Sequence, residues 1–176
     1  MSSNKPATPA FGFLTIVEQA ELGLVGGYLV LNAGGRPLEF HCTAPIKPNR
    51  AQEILYGPTL KSYLCGEQIG QALVSRAKGE VRLLFTDDAA VLSVREFTAA
   101  PVVLLETDDI AGLDRSASLS LKLGSFAGSL EHRYSSDQPT VLSRWKEHGL
   151  SLDLIEPFGR IREALQEAQK SARQAA

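Results

Sequence analysis

Apolar and polar positions alternate most clearly between residues 26 and 48 of this 176-residue chain. Two apolar stretches, at residues 28–31 and 37–43, flank the turn-forming sequence Asn-Ala-Gly-Gly at 32–35. Asn and Gly supply the positive φ angles that a tight hairpin needs. The pattern predicts an antiparallel hairpin with one covered face, which on its second strand consists of Leu38, Phe40 and Cys42.

Helical signals follow this hairpin. Asn49 is a suitable N-cap for a short helix over residues 50–56, and Gln52 is placed to complete a capping box. A longer helix is expected over residues 60–77, where Gly66 and Gly70 interrupt the apolar stripe. Glycines at this spacing would allow a close approach of the helix backbone to the sheet.

Strand signals return in the second half of the chain. Residues 81–85 read as a strand, the Asp87-Asp88 pair as a turn, and residues 90–97 as the return strand. A more apolar strand is predicted at 102–106, and a second hairpin over residues 119–134. The last third is helical, with a short helix over residues 141–148 and a final amphipathic helix that begins at Pro157.

These elements predict an α+β fold with a mainly antiparallel sheet of about five to eight strands. The helical insert follows strand three, and an amphipathic helix closes the chain. Residues 1–10 read as a flexible N-terminal arm and residues 11–176 as a single domain. The element order resembles that of profilin-like, longin or roadblock domains, which by analogy implies an interaction or sensory module.

Composition narrows the functional classes. The formal net charge is −2 and no basic block stands out, so nucleic acid is not an expected partner. No apolar run reaches the roughly 20 residues that span a bilayer, and no signal peptide precedes the first strand. We therefore expect a cytoplasmic protein with two reduced cysteines, Cys42 and Cys65.

His41, Cys42 and Cys65 are the nearest set to a metal site. They lack the short ligand spacing of zinc sites, and neighbours on a strand point to opposite faces. A buried, structural cysteine is the favoured interpretation, because a nucleophilic thiol needs an electropositive setting. We predict neither a metal nor a cofactor.

Two acidic pairs, Asp87-Asp88 and Asp108-Asp109, resemble those of hydrolases, but Asp is also common in turns. Nucleotide-binding glycine loops, the Gly-x-Ser-x-Gly elbow and the His-Glu-x-x-His zinc motif are all absent from the sequence. The favoured interpretation of both acidic pairs is therefore structural.

The functional hypothesis that remains is a non-catalytic protein-interaction or assembly module, a subunit of a larger cytoplasmic complex. Its partner would be another protein or a second copy of the chain. The docking surface would be the apolar stripe of the last helix, formed by Phe158, Ile161 and Leu165. The same stripe is equally suited to packing on the chain's own sheet.

Two alternatives stay open. One is a small-molecule enzyme with its site near the end of the third strand, built from His41, Cys42 and Asp87. The other is a nucleic-acid binder with Tyr56 or Tyr63 available for stacking. The latter requires a set of separate cations to gather on one face, namely Arg36, Lys47, Arg50, Lys61 and Arg82.

Overall fold

A seven-stranded mixed sheet forms the centre of the molecule in a computed structural model that describes residues 8–107, 115–149 and 151–176. The strand order is β3-β2-β1-β4-β5-β7-β6. The strands are β1 Ala10–Gln19, β2 Gly23–Asn32, β3 Pro37–Cys42, β4 Leu83–Thr86, β5 Val102–Leu105, β6 Ser118–Leu123 and β7 Phe126–Glu131.

Antiparallel pairing dominates, as the sequence predicts. β1, β2 and β3 form a meander, while β7 pairs antiparallel with both β5 and β6. The two parallel pairings, β1 with β4 and β4 with β5, lie in the middle of the sheet. The predicted α+β class is therefore confirmed, with a parallel centre that the sequence pattern did not reveal.

Helices cover both faces of the sheet. On one face, α1 (Arg50–Tyr56) leads into a helical segment made of α2 (Leu60–Ser62), a π-helical stretch (Tyr63–Gly70) and α3 (Gln71–Arg76). The other face carries α4 (Gln138–His148) and α5 (Glu156–Gln174). The capping box predicted at Asn49 and Gln52 is present at the start of α1.

Two apolar cores result, one on each face. The first packs α4 and α5 against the sheet through Phe13, Phe85, Trp145 and Phe158. The second packs the π-helical stretch and the β4–β5 connection against Leu14, Tyr28 and Leu104. A central strand such as β4 is thus buried on both faces, which explains its continuous apolar sequence Leu83–Thr86.

The predicted return strand at residues 90–97 is wrong. Ala89–Phe97 forms a 3-10 helix, which we call the 3-10 crossover, and Asp88 caps it by accepting a hydrogen bond from the Ala90 N–H. Because β5 runs parallel to β4, the chain must return to the start of the sheet between them, which a hairpin cannot do. The parallel pairing of β4 with β5, and not the local sequence pattern, therefore determines that this segment is helical.

Gly66 and Gly70 allow a close approach, but to the 3-10 crossover and not to the sheet. A Cβ atom at Gly66 would overlap the Ser93 hydroxyl, and one at Gly70 would lie 2.8 Å from a Val94 methyl group. The backbone of the π-helical stretch therefore packs directly against Ser93 and Val94 of the 3-10 crossover. The glycines are required by helix packing.

The last helix packs on the chain's own sheet. Phe158, Ile161 and Leu165 are 1 %, 0 % and 3 % exposed and belong to the first core. The interpretation of these three residues as a partner-binding stripe therefore does not hold, because each side chain is buried in the chain's own core. Burying these side chains against β1 and β2 is what holds α5 on the sheet.

The hairpin of β2 and β3 forms at residues 32–35 as predicted, and the Asn32 side chain accepts hydrogen bonds from Gly34 and Arg36 N–H groups. Its predicted covered face is only partly covered. Leu38 is 50 % and Phe40 39 % exposed, because β3 is an edge strand and α5 contacts β1 and β2.

None of the helices within the described ranges has the length and apolar character of a membrane-crossing segment. Residues 1–7 of the predicted N-terminal arm lie outside the described residues, and β1 already begins at Ala10. The acidic pair Asp108-Asp109 also lies outside them.

Replacing Gly66 with Ala should destabilise the protein by about 1–3 kcal/mol, because the added methyl group has no space against the 3-10 crossover. The matched control is Gly159→Ala in α5, where a Cβ atom meets nothing within 4 Å. That change should stabilise the fold by about 0.5–1 kcal/mol through helix propensity. Urea denaturation of the two variants measures both effects, and equal stabilities would contradict the close packing.

Candidate functional site

The carboxyl ends of the parallel strands meet at one edge of the sheet. Leu14 of β1 lies beside Thr86 of β4, and Thr86 lies beside Leu104 of β5. In sheets with parallel strands, ligands bind in the crevice outside the carboxyl ends, where the connections diverge. Here β1 continues past the end of β4 as far as Gln19, so its last residues form one wall of such a crevice.

Asp87 lies at the bottom of this crevice. It follows the last residue of β4, and its side chain is only 9 % exposed. One carboxylate oxygen accepts a hydrogen bond of 2.6 Å from the Thr15 hydroxyl of β1, and the other is paired with the Arg162 guanidinium of α5. Three elements that are distant in sequence thus meet at one carboxylate.

Each partner is placed by its own element. Alternation along β1 puts Thr15 on the same face as Phe11 and Phe13, the face that α5 covers. On α5, Arg162 follows the buried Ile161 and stands at the margin of the packed face, with 47 % of its side chain exposed. In this pair, the Asp87 carboxylate is therefore buried in the crevice, whereas the Arg162 guanidinium is open to solvent.

A cleft of about 510 Å³ opens above this pair. Its walls are formed by β1, the start of the 3-10 crossover and α5, with Phe158 and Ile155 as apolar contacts. The polar side chains that line it carry both signs of charge and two hydroxyl groups, and they are Thr15, Lys61, Asp87, Asp88, Thr107 and Arg162.

The described residues do not form a metal centre. Within residues 8–107, 115–149 and 151–176, no group of three or more His, Cys, Asp or Glu side chains is placed to hold a metal ion. Both Asp87 oxygens are already engaged, and one Asp88 oxygen caps the 3-10 crossover. Among the described donors, the arrangement at Asp87 is an ion pair with Arg162, and we derive no step through a metal.

The alternative site predicted from sequence is not brought together. His41 lies opposite Tyr28 on the face of the second core, whereas Cys42 packs against the first core. Asp87 follows β4, the third strand from β3 in the sheet, and the register places His41 and Thr86 three strand spacings, or roughly 14 Å, apart. His41, Cys42 and Asp87 therefore do not share a cleft.

Cys65 has the structural role that the sequence favoured. It is fully buried beneath the 3-10 crossover. Burial, reinforced by the charge of Asp88, raises the pKa of its thiol to about 12, so it stays protonated at neutral pH.

His41 belongs instead to a structural clamp at the sheet edge. Its Nε2 atom lies 2.8 Å from the Glu39 carboxylate. This carboxylate also accepts hydrogen bonds from the backbone N–H groups of Lys78 and Gly79. The hydrogen bond with His41, followed by that from Lys78, lowers the pKa of Glu39. The clamp ties the chain after α3 to the edge strand β3.

Sequence reasoning named Asp87 but missed Thr15 and Arg162. A threonine in a strand and an arginine on a helix surface are common, and nothing in their spacing connects positions 15, 87 and 162. The one available signal was that an acidic residue directly follows an apolar strand. Recognising β1 and β4 as parallel neighbours would have been needed to use it.

No protein-family model matches this sequence, and no curated protein matches it either. Among solved structures, the crystal structure of human ENDOV, endonuclease V, matches with a TM-score of 0.45 and 15 % sequence identity. The match covers 94 % of this chain and 86 % of that chain.

Two predictions from the sequence are corrected. One is that the chain is a non-catalytic interaction or assembly module, and the other is that it binds a protein or itself and not nucleic acid. The finding set against both is the structural match to human ENDOV given above. In the molecule itself, the stripe of Phe158, Ile161 and Leu165 that would have bound a partner is buried.

The Glu39 clamp should make the stability of the fold depend on pH in the acidic range. Because the folded-state pKa of Glu39 is depressed, its contribution is fully present above the unfolded-state pKa of about 4.3 and disappears as the pH falls through the lower folded-state value. Glu39→Gln should therefore be less stable than the wild type at pH 7, with the difference shrinking below about pH 4. Thermal melts across this range test it.

The nearby exposed residue Glu80 provides the control for this experiment. Glu80→Gln should follow the wild-type curve at every pH. A Glu39→Gln variant that also follows it would show that the clamp contributes nothing to stability.

Proposed function

We propose that this chain is a nucleic-acid-processing enzyme that binds a phosphate group of its substrate in the cleft above Asp87. The observation that carries the proposal is the arrangement of Thr15, Asp87 and Arg162 at the carboxyl ends of β1 and β4. In this arrangement, the hydrogen-bonded Asp87 carboxylate and the exposed Arg162 guanidinium lie side by side in an open cleft.

The cations favour a phosphate ligand. Arg162 uses one nitrogen on Asp87, which leaves further N–H groups directed to the solvent side. Lys61 of α2 lines the same cleft. A planar guanidinium suits phosphate oxygens, since it donates two parallel hydrogen bonds, and a lysine adds charge.

The carboxylate supplies the chemistry. When a phosphate binds Arg162, the ion pair with Asp87 is shared with the ligand, and one Asp87 oxygen becomes available to a water molecule. Asp87 would accept a proton from that water as the water oxygen bonds to phosphorus. The P–O bond to the leaving alcohol breaks, and the alcohol oxygen takes a proton from solvent. Thr15 keeps the carboxylate in position throughout.

The shape of the surface favours a chain-like substrate over a small molecule. Lys61 lines both the central cleft and a groove of about 760 Å³ that runs toward α1. Ile16 and Arg162 line both the cleft and a second groove along α5. The cleft is thus continuous with a groove on two sides, and this shape supports a chain-like substrate.

A cytoplasmic location remains part of this proposal. Cys42 and Cys65 are both free thiols, which is the state expected in a reducing compartment.

The test is cleavage of end-labelled single- and double-stranded DNA and RNA by the purified chain, followed on denaturing gels with and without added Mg²⁺. Asp87→Asn should lower the cleavage rate by about 10²–10⁴-fold, the usual range for loss of a general base. Arg162→Gln should weaken substrate binding as well as turnover. Glu163→Gln removes a neighbouring exposed carboxylate on α5 and should leave both unchanged.

Thermal melts of each variant are needed beside the activities, so that loss of fold is separated from loss of function. A wild-type chain that neither binds nor cleaves any of the four substrates would overturn the proposal. So would a folded Asp87→Asn variant that cleaves at the wild-type rate.

A further inference from the structure

We infer that one polar stripe of α5 carries the backbone of a single nucleic-acid strand away from the cleft. The stripe consists of Arg162, Gln166, Gln169 and Arg173, which we call the α5 track. The inference rests on the proposed function, and it assigns a binding surface beyond the reacting site.

Helical spacing puts these four side chains in one row. They stand four, three and four residues apart, so each lies about one turn beyond the last on the same face. The row begins at Arg162, inside the central cleft, and ends about 16 Å away at Arg173. It is therefore continuous with the place where Asp87 lies.

A groove accompanies the row. Its volume is about 500 Å³, and its opposite wall is the end of β1 from Ile16 to Gln19, the part that runs past β4. Leu165 of α5 forms the bottom of the groove. The groove thus has an apolar bottom with a polar, cationic rim.

The side chains beyond Arg162 are uncommitted. Gln166, Gln169 and Arg173 make no hydrogen bond or ion pair with any residue in the described part of the chain. Amides and guanidinium groups are donors for phosphate and sugar oxygens, and such contacts position a strand without reading its sequence. Nothing in the described part of the fold accounts for the alignment of Gln166, Gln169 and Arg173 along one groove.

Charge complementarity selects the occupant. The track provides two cations, and Glu18 on the β1 wall is the one carboxylate that faces it among the described residues lining the groove. The residues that line the groove therefore carry one net positive charge, on a chain whose total charge is −2, while Asp87, the partner of Arg162, lies in the cleft outside the groove. A polyanion of narrow width fits this arrangement, and a single strand satisfies both conditions.

Fluorescence anisotropy with labelled single-stranded oligonucleotides of 3 and 12 nucleotides tests the track, using the full chain over a series of salt concentrations. Arg173→Gln should weaken binding of the 12-mer on the order of tenfold and reduce the salt slope by about 0.7, since one phosphate contact is lost. Binding of the 3-mer, which occupies only the cleft, should not change. Lys146→Gln, an exposed cation on α4, is the charge-matched control and should alter neither.

The outcomes separate this inference from the proposed function. If the wild-type chain binds the 12-mer and Arg173→Gln binds it with equal affinity and salt slope, the track is refuted while the cleft stands. If Lys146→Gln weakens binding as much as Arg173→Gln, attraction is by overall charge and the track is again refuted. A wild type that binds neither length refutes the track, and the proposed function falls with it only if the cleavage assay also shows no binding or cleavage of the four substrates.

Discussion

The parallel pairing of β4 with β1 in the middle of the sheet is the constraint on which the other features depend. It forces the chain from β3 to cross one face as the helical segment α1–α3 before β4 can begin. It brings Thr15 of β1 next to Asp87, the residue that directly follows β4, at the carboxyl ends of these strands. The same pairing leaves the opposite face of β1 and β2 free for α5, which carries Arg162 to that edge.

The cleft is a product of unequal strand lengths as much as of its side chains. β1 spans 10 residues and β4 only 4, so β1 continues where β4 stops, and the space beside it is left for the cleft. The Asp87 carboxylate at this position is mostly buried but still lines the cleft. Arg162 offsets part of the cost of burying the Asp87 charge and keeps its own outer face in solvent. The proposed binding of a phosphate and the stability of the fold would thus both depend on this ion pair.

Close packing of the two helical segments on the other face has a different cause. Gly66 and Gly70 let the π-helical stretch approach the 3-10 crossover, and Cys65 is buried between them. This layer sets the position of the 3-10 crossover, whose first residues, capped by Asp88, form one side of the cleft. The α1–α3 segment therefore supports the site from behind, although only Lys61 of that segment lines the cleft.

Local patterns determined the β2–β3 hairpin, the capped helix α1, and the amphipathic character of α5, because each depends on contacts between residues close in sequence. Alternation could not tell that residues 90–97 form a helix, since an apolar segment bounded by turns suits either a strand or a buried crossover. Nor could it join positions 15, 87 and 162. Only the order and direction of the strands decided which side chains share the cleft, because those contacts cross the sheet between elements far apart in the chain.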